Sequence, residues 1–165
     1  MTELEPSDTS LRVLVTGATG YIGGRLAPRL VDAGHRVRAM ARNPDKISDV
    51  PWAAEVEVVR GDLPAPDSLD SACRDIDVVY YLVHSMDARG AFIESARRSA
   101  ENLAAAARRA GVGRIVYLGG LHPESDRLST HLRSRSQVGD ILLHSGVPAL
   151  VLQAGVVIGS GSASF

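Results

Sequence analysis

Three regularly spaced glycines are the residues best suited to binding chemistry in this sequence. Gly17, Gly20 and Gly23 make a GxxGxxG pattern at the end of the strand-like run 11–17 and at the start of a helix-like stretch. The first glycine permits a tight turn, the second lets backbone approach a pyrophosphate, and the third lets helix and strand pack closely. The N–H groups and dipole at a helix start favour an anion. The pattern predicts a dinucleotide pyrophosphate loop, with a ligand-free turn as the alternative.

The elements that must position this loop alternate along the chain. Short apolar runs, typical of parallel strands buried on both faces, are predicted as strands at 11–17, 36–42, 56–62, 77–83, 114–120 and 148–155. Helical stripes lie between them, and Gly34 stands where a left-handed C-terminal cap is expected. This alternation predicts an α/β fold: a Rossmann doubly wound parallel sheet of about six strands, with helices on both faces.

Composition and charge set the broad class of the protein. The 165 residues are 45% hydrophobic and 22% charged, as in an ordinary globular domain, and a net charge of −1 gives no general attraction to nucleic acid. No apolar run approaches the roughly 18 residues of a membrane span. The polar, acidic start does not match a signal peptide. We therefore expect a cytoplasmic protein with a flexible tail at 1–10 and one domain at 11–165.

Metal-binding residues are sparse. The single cysteine, Cys73, excludes an internal disulfide, and the five histidines show no metal-ligand spacing. We predict no metal site. Cys73 and Trp52 are both expected to fill the core.

The sequence around the loop resembles a known superfamily. The segments TGATGYIG (16–23), GD (61–62), VVYYLVHS (78–85) and VGRIVYLGG (112–120) are similar to the cofactor-side segments of atypical and extended short-chain dehydrogenases/reductases. That group includes NmrA-like regulators, sugar-nucleotide epimerases and NAD(P)H-binding proteins related to a subunit of respiratory complex I. The resemblance covers 11–165 and implies an NAD(P)-binding domain.

The resemblance also implies which residues hold the cofactor. Asp62 would accept from the adenine amino group beside Leu63, although on its own it equally fits a turn acid after a strand. Val83 and His84 would line the nicotinamide-ribose side. The implied pyrophosphate site consists of Gly17, Thr19, Gly20, Tyr21, Ile22 and Gly23.

Arg42 bears on which dinucleotide is bound. A fold that binds NAD usually has an acidic residue at the end of its second strand, gripping the ribose 2′-OH. Here that strand ends at Arg42, and no acid precedes Asp45. An arginine can pair with a 2′-phosphate through charge-assisted hydrogen bonds. We predict a preference for NADP(H) over NAD(H); the alternative is a solvated strand-end charge.

The catalytic pattern of the superfamily is altered. Its active members use a tyrosine and a lysine four residues apart on the helix after the fifth strand. The only lysine here is Lys46, and no tyrosine lies on that helix. Matching the segment 129–140 to the family places His131 at the tyrosine position and Arg135 at the lysine position. Because imidazole titrates near about pH 6.5, His131 can act as an acid or base. The alternative is a surface helix that happens to carry both side chains.

Two functions therefore remain open. One is an oxidoreductase-like or epimerase-like enzyme acting on a small molecule, and the other is a non-catalytic NADP(H)-sensing or assembly module of NmrA type. In the family, residues beyond the sixth strand supply much of the substrate site, and few follow here. We expect a piece of a longer protein, truncated after strand six. The sheet edge would then need a partner, such as a second copy forming a homodimer.

Overall fold

Six parallel strands form one sheet in the order β3-β2-β1-β4-β5-β6. The computed structural model describes residues 10–83, 92–121 and 129–161, so nearly all of the predicted tail lies outside the described residues. Each strand falls within a predicted segment, which confirms the Rossmann fold. The strands are β1 Arg12–Thr16, β2 Arg36–Ala41, β3 Glu57–Arg60, β4 Val78–Tyr81, β5 Arg114–Gly120 and β6 Ala149–Ala154.

Helices connect the strands. Gly34 follows α1 with φ of +86°, and the N–H of His35 donates to the carbonyl oxygen of Leu30 at 3.0 Å, which confirms the predicted left-handed cap. None of the helices within the described ranges is long and apolar enough to cross a membrane. The helices are α1 Gly23–Asp32, α2 Asp45–Ser48, α3 Asp67–Cys73, α4 Phe92–Arg109 and α5 Thr130–Leu143, with a 3₁₀ turn at Ala53–Glu55.

The core has two layers, one on each face of the sheet. Leu14 points into the layer that contains buried residues of α3, α4 and α5, including Cys73. Val13 and Val15 point the other way, into the layer beneath α1 and α2 that contains Trp52. Successive residues of β1 alternate between faces because side chains in a strand have a period of two. Cys73 and Trp52 are buried, as expected.

This strand order fixes where a ligand can bind. The chain moves from β1 outward to β2 and β3, then returns to place β4 on the other side of β1. In open α/β sheets, ligands bind beyond the carboxyl ends of the strands at such a reversal. The glycine loop follows β1 at this point, so the fold places it at the expected crevice.

Candidate cofactor-binding site

The glycine loop is shaped by close backbone contacts. Gly17 has φ of +70°, and a Cβ there would lie 3.2 Å from the carbonyl oxygen of Leu82. A Cβ on Gly23 would overlap the carbonyl oxygen of Gly17 and lie 2.8 Å from the Cα of Ala18. Gly20 differs, because a Cβ there would meet only the carbonyl oxygen of Gly17, at 3.2 Å. The first and third glycines are therefore needed for packing, whereas Gly20 is exposed and open to a ligand.

The start of α1 presents free hydrogen-bond donors. Ile22 is already helical, with φ of −73° and ψ of −49°, and its side chain provides no cap. Within the described part of the chain, the N–H groups of Tyr21, Ile22 and Gly23 donate to no protein acceptor. No acidic residue lies in the first turn. Unpaired N–H groups at a helix start fit a pyrophosphate, so these residues match the group that the spacing predicts.

Thr16 joins the two strands that flank the crevice. Its buried hydroxyl donates to the carbonyl oxygen of Tyr80 at 3.1 Å and accepts from the N–H of Leu82 at 3.2 Å. This bridge fixes the end of β1 against the end of β4. The glycine loop begins at the end of β1, so its position depends on this bridge. Sequence reasoning missed Thr16, although a polar residue inside an otherwise apolar strand was the available signal.

The loop after β3, which the resemblance predicts to face the adenine, is held by two helices. The N–H of Asp62 donates to Oγ of Ser68 in α3 at 2.9 Å. Nδ2 of Asn102 in α4 donates to the carbonyl oxygen of Leu63 at 2.9 Å. The strand therefore ends at Arg60, two residues before the predicted end, because the backbone beyond it bonds to the helices. Leu63 is buried and Asp62 half-buried, so the loop presents Asp62 from a fixed backbone.

Arg42 lies at the neighbouring strand end. The N–H of Gly61 donates to the carbonyl oxygen of Ala41 at 3.1 Å. Because Gly61 precedes Asp62 and Ala41 precedes Arg42, this hydrogen bond places the backbone of Arg42 close to that of Asp62. Arg42 is exposed, and it forms no hydrogen bond or salt bridge with another described residue. Its guanidinium is therefore available to a ligand.

Val83 borders the glycine loop from β4. It is half-buried, and its Cγ2 lies 3.3 Å from the position of a Cβ on Gly17. This places Val83 at the crevice. His84, predicted beside it, lies outside the described residues.

The two candidate catalytic residues occupy the first turns of α5. His131 is exposed. Arg135 follows four residues later, on the same side of the helix. It is half-buried, and its Nη1 lies 3.0 Å from the position of a Cβ on Gly120, at the carboxyl end of β5. The fold thus brings Arg135 to the edge of the sheet that bears the glycine loop.

The buried tyrosines near α5 are poor proton carriers. Burial raises the pKa of Tyr117 to about 12, although the charge of Arg135 opposes the shift. Burial also raises the pKa of Tyr81, and its ring meets that of Tyr117 edge to face at 5.6 Å. Neither phenol ionises near neutral pH. Among the described residues, no three histidine, cysteine or acidic side chains come together to hold a metal ion.

A known family matches most of the chain. The profile of a family described as NAD(P)H-binding matches residues 17–151, from the first glycine of the loop into β6. The chain belongs to the NAD(P)H-binding family. The matched range begins at the first glycine of the loop and includes the open N–H groups at the start of α1.

Two curated relatives of this NAD(P)H-binding protein are reductases. It is 34% identical over 137 residues to the (4-alkanoyl-5-oxo-2,5-dihydrofuran-3-yl)methyl phosphate reductase of Streptomyces griseus. The aligned residues make up 82% of this chain and 44% of that protein. It is 30% identical over 151 residues to the ceramide reductase of Caulobacter vibrioides, with coverages of 90% and 47%. The chain thus spans less than half the length of these relatives.

A solved structure agrees with this assignment. The triphenylmethane reductase of Citrobacter, complexed with NADP(H), superposes with a TM-score of 0.76 at 25% identity. The match covers 88% of this chain and 50% of that chain. Together, the family profile and the relatives confirm the predicted resemblance to atypical short-chain dehydrogenases/reductases and the prediction of NAD(P)(H) binding.

Proposed function

We propose that this chain is the cofactor-binding part of an NADP(H)-dependent oxidoreductase, in which Arg42 binds the 2′-phosphate. The observation that carries the proposal is the state of Arg42, which is exposed and unpaired among the described residues at the end of β2. Arg38, four residues earlier in the same strand, is paired with Glu57 instead. A free guanidinium beside the adenine-side loop matches an anionic group on the ribose.

The expected preference follows from the strength of such bonds. Charge-assisted hydrogen bonds contribute about 1.5–3 kcal/mol each, which corresponds to about ten- to a hundredfold in affinity. NADH lacks the phosphate, so its binding gains nothing from Arg42. The structure of the Citrobacter relative in complex with NADP(H) supports the same choice.

Isothermal titration of NADPH and NADH into the wild type and two variants tests this proposal. Arg42→Ala should weaken NADPH by about ten- to a hundredfold and leave NADH nearly unchanged. Arg36→Ala is the matched control, because Arg36 is exposed at the opposite end of the same strand. Equal affinity of the wild type for NADH and NADPH, together with no effect of Arg42→Ala, would refute the preference.

The proposed chemistry is a reduction, as in the reductases that the chain resembles. NADPH supplies a hydride when bound. His131 would hold or deliver the accompanying proton, because its imidazole is exposed and a histidine side chain can act as a general acid or base. Arg135 would contribute charge and hydrogen-bond donors to a ribose, since a guanidinium does not exchange its proton.

A second candidate function is non-catalytic sensing of NADP(H), or an assembly role, as in NmrA-type proteins. The observation in its favour is that Lys46 lies in α2, away from α5, while Tyr81 and Tyr117 are buried with raised pKa values. NADPH consumption across a panel of carbonyls and quinones separates the two functions. Turnover lost in His131→Ala supports the enzyme, whereas tight binding without turnover supports the sensor.

The free edge of β6 supports a homodimer. Leu150 and Leu152 point away from α5 and are 48% and 47% exposed, and β6 pairs only with β5 among the described strands. We propose that a second copy of the chain packs against β6 and covers Leu150 and Leu152, because exposed apolar edge strands tend to associate. Sedimentation should show a dimer that Leu150→Lys dissociates. A wild-type monomer at high concentration would exclude it.

A further inference from the structure

The chain beyond β6 returns to the glycine loop. We call residues 155–160 the crossing segment. Nη2 of Arg25, in the first turn of α1, donates to the carbonyl oxygen of Ser160 at 2.7 Å. The Tyr21 hydroxyl approaches Gly159 so closely that a Cβ there would overlap it. The end of the crossing segment is therefore attached to the residues that open α1.

The sheet order dictates the path between these points. β6 lies three strands from β1, a distance of about 14 Å at about 4.8 Å per strand. Gly159 lies five positions after Ala154 at the end of β6, and five steps along the chain span at most about 17 Å. The crossing segment therefore runs from β6 toward β1 beyond the carboxyl ends of β5 and β4, and the long side chains of Tyr21 and Arg25 complete the distance. That route passes the end of β4, where Val83 borders the crevice.

We infer that Arg25 and Tyr21 are positioning residues, which hold the crossing segment across the nicotinamide side of the dinucleotide site. The inference rests on the proposed function and extends it to the cofactor half that Arg42 does not reach. The segment spans the mouth of the crevice between β4 and β1, in which a bound dinucleotide lies. Its position sets how tightly the nicotinamide half is enclosed.

Arg25 is well suited to this role and poorly placed for helix stability. A cation in the first turn of a helix is opposed by the helix dipole. Its guanidinium lies 3.8 Å from the centroid of the Tyr21 ring, so a cation–π contact orients it toward Ser160. The two contacts together give the side chain a fixed direction.

The crossing segment has little apolar burial of its own at two of its positions. Val156 is 77% and Ile158 is 66% exposed, so burial of these side chains does little to hold the segment. Segments with few buried contacts open at low free energy. Gly159 is the position at which the segment touches Tyr21, and the absence of a side chain there permits the approach.

Two ligands separate the halves of the site. NADP⁺ occupies the whole site, whereas 2′,5′-ADP fills only the adenosine half. In the 165-residue chain, Arg25→Ala should weaken the binding of NADP⁺ by about three- to tenfold and leave the affinity for 2′,5′-ADP unchanged. Arg25→Lys should restore part of the loss, since an ammonium can still donate to Ser160.

Hydrogen exchange of amides 155–160 should become faster in Arg25→Ala without any ligand. Arg29→Ala, an exposed arginine one turn further along α1, is the control and should change none of these values.

A second pair of variants tests the contact at Gly159. Gly159→Ala should reproduce the selective loss of NADP⁺ affinity, because its methyl group would meet the Tyr21 hydroxyl. Adding Tyr21→Phe to Gly159→Ala should recover part of that loss. Recovery would not follow from a general loss of stability.

Each other outcome has a definite meaning. An equal loss of both ligands, or faster exchange at 155–160 with no change in NADP⁺ binding, would overturn the role of Arg25. Failure of Arg42→Ala to weaken NADP⁺ would reject the 2′-phosphate assignment alone. The affinities of wild type and Arg25→Ala would then be measured with NAD⁺ and ADP instead. A loss of NAD⁺ affinity alone would support the role of Arg25, and an equal loss of both ligands would overturn it.

Discussion

The guanidinium of Arg38 donates to the carbonyl oxygen of Ala72 at 2.9 Å, which ties strand β2 to the end of helix α3. The same Nη1 donates to the carbonyl oxygen of Arg74 at 2.7 Å, and Nε donates to Oε2 of Glu57 at 2.8 Å. The last carbonyl groups of a helix lack partners within it, and a cation there also complements the dipole. Arg38 therefore closes α3 from the neighbouring strand.

Arg38→Met should lower the free energy of unfolding by about 2 kcal/mol, because it leaves half-buried carbonyl groups without a donor. Glu57→Gln should cost less than about 1 kcal/mol, since the side chain of Glu57 is 58% exposed and its ion pair is screened. Urea denaturation of both variants, with Arg36→Met as an exposed control on the same strand, measures the difference. Similar losses for Arg38→Met and Glu57→Gln would show that the ion pair, rather than the helix end, dominates.

Thr16→Val should destabilise the protein and weaken cofactor binding together. Valine keeps the shape of threonine but leaves the carbonyl of Tyr80 and the N–H of Leu82 unpaired, at a cost of about 1–3 kcal/mol. For a chain of this size, each kcal/mol corresponds to about 2–4 °C in Tm. Thermal unfolding with Thr19→Val, an exposed control in the loop, checks the effect. An unchanged Tm in Thr16→Val would contradict the bridge.

The sheet and its crevice follow largely from local features of the sequence. The six apolar runs, the glycine pattern and Gly34 are all local signals, and each element they predict is present. Right-handed crossovers between parallel strands leave few strand orders open, so the site had to lie beyond the carboxyl ends. The prediction that Asp62 and Leu63 contact the adenine rests on the family resemblance, since no spacing rule would have selected them, and it stays a prediction.

Contacts between distant parts of the chain could not be predicted in this way. Arg25 and Ser160 are 135 residues apart, and nothing local to either indicates that they meet. The helix α2 is only four residues long, too short to give a periodic pattern. Arg38 lies in an arginine-rich strand, and its role at α3 depends on tertiary packing. Such interactions become visible only once the sheet order fixes which chain ends are neighbours.

Gly23→Ala and Gly24→Ala form a matched pair in the glycine loop. A methyl group at Gly23 would overlap the carbonyl oxygen of Gly17, so this variant should lose at least about tenfold in NADPH affinity as the loop shifts. At Gly24 the nearest atom to a Cβ is 3.6 Å away, and alanine favours the helix by about 0.5–1 kcal/mol. Gly24→Ala should therefore keep its affinity and gain stability. If both variants bound NADPH like the wild type, the close packing of helix and loop would not matter for the site.

The Cys73 thiol should make stability fall at alkaline pH. Burial, with a smaller contribution from the Asp70 carboxylate, raises its pKa from 9.0 to about 11. The folded protein therefore holds the thiol proton more tightly than the unfolded chain does. This contribution to stability is complete below pH 9 and is lost as the pH rises through about 11.

The change between pH 8 and pH 10 isolates this effect. Wild type should lose about 1 kcal/mol more than Cys73→Ala over that interval, because one unit of pKa difference is worth about 1.4 kcal/mol. The comparison with Cys73→Ala removes the contribution of Tyr81 and Tyr117, whose raised pKa values act in the same direction in both proteins. Urea unfolding at the two pH values gives the four free energies required. Parallel losses in wild type and Cys73→Ala would mean that the thiol ionises as readily in the folded protein as in the unfolded chain.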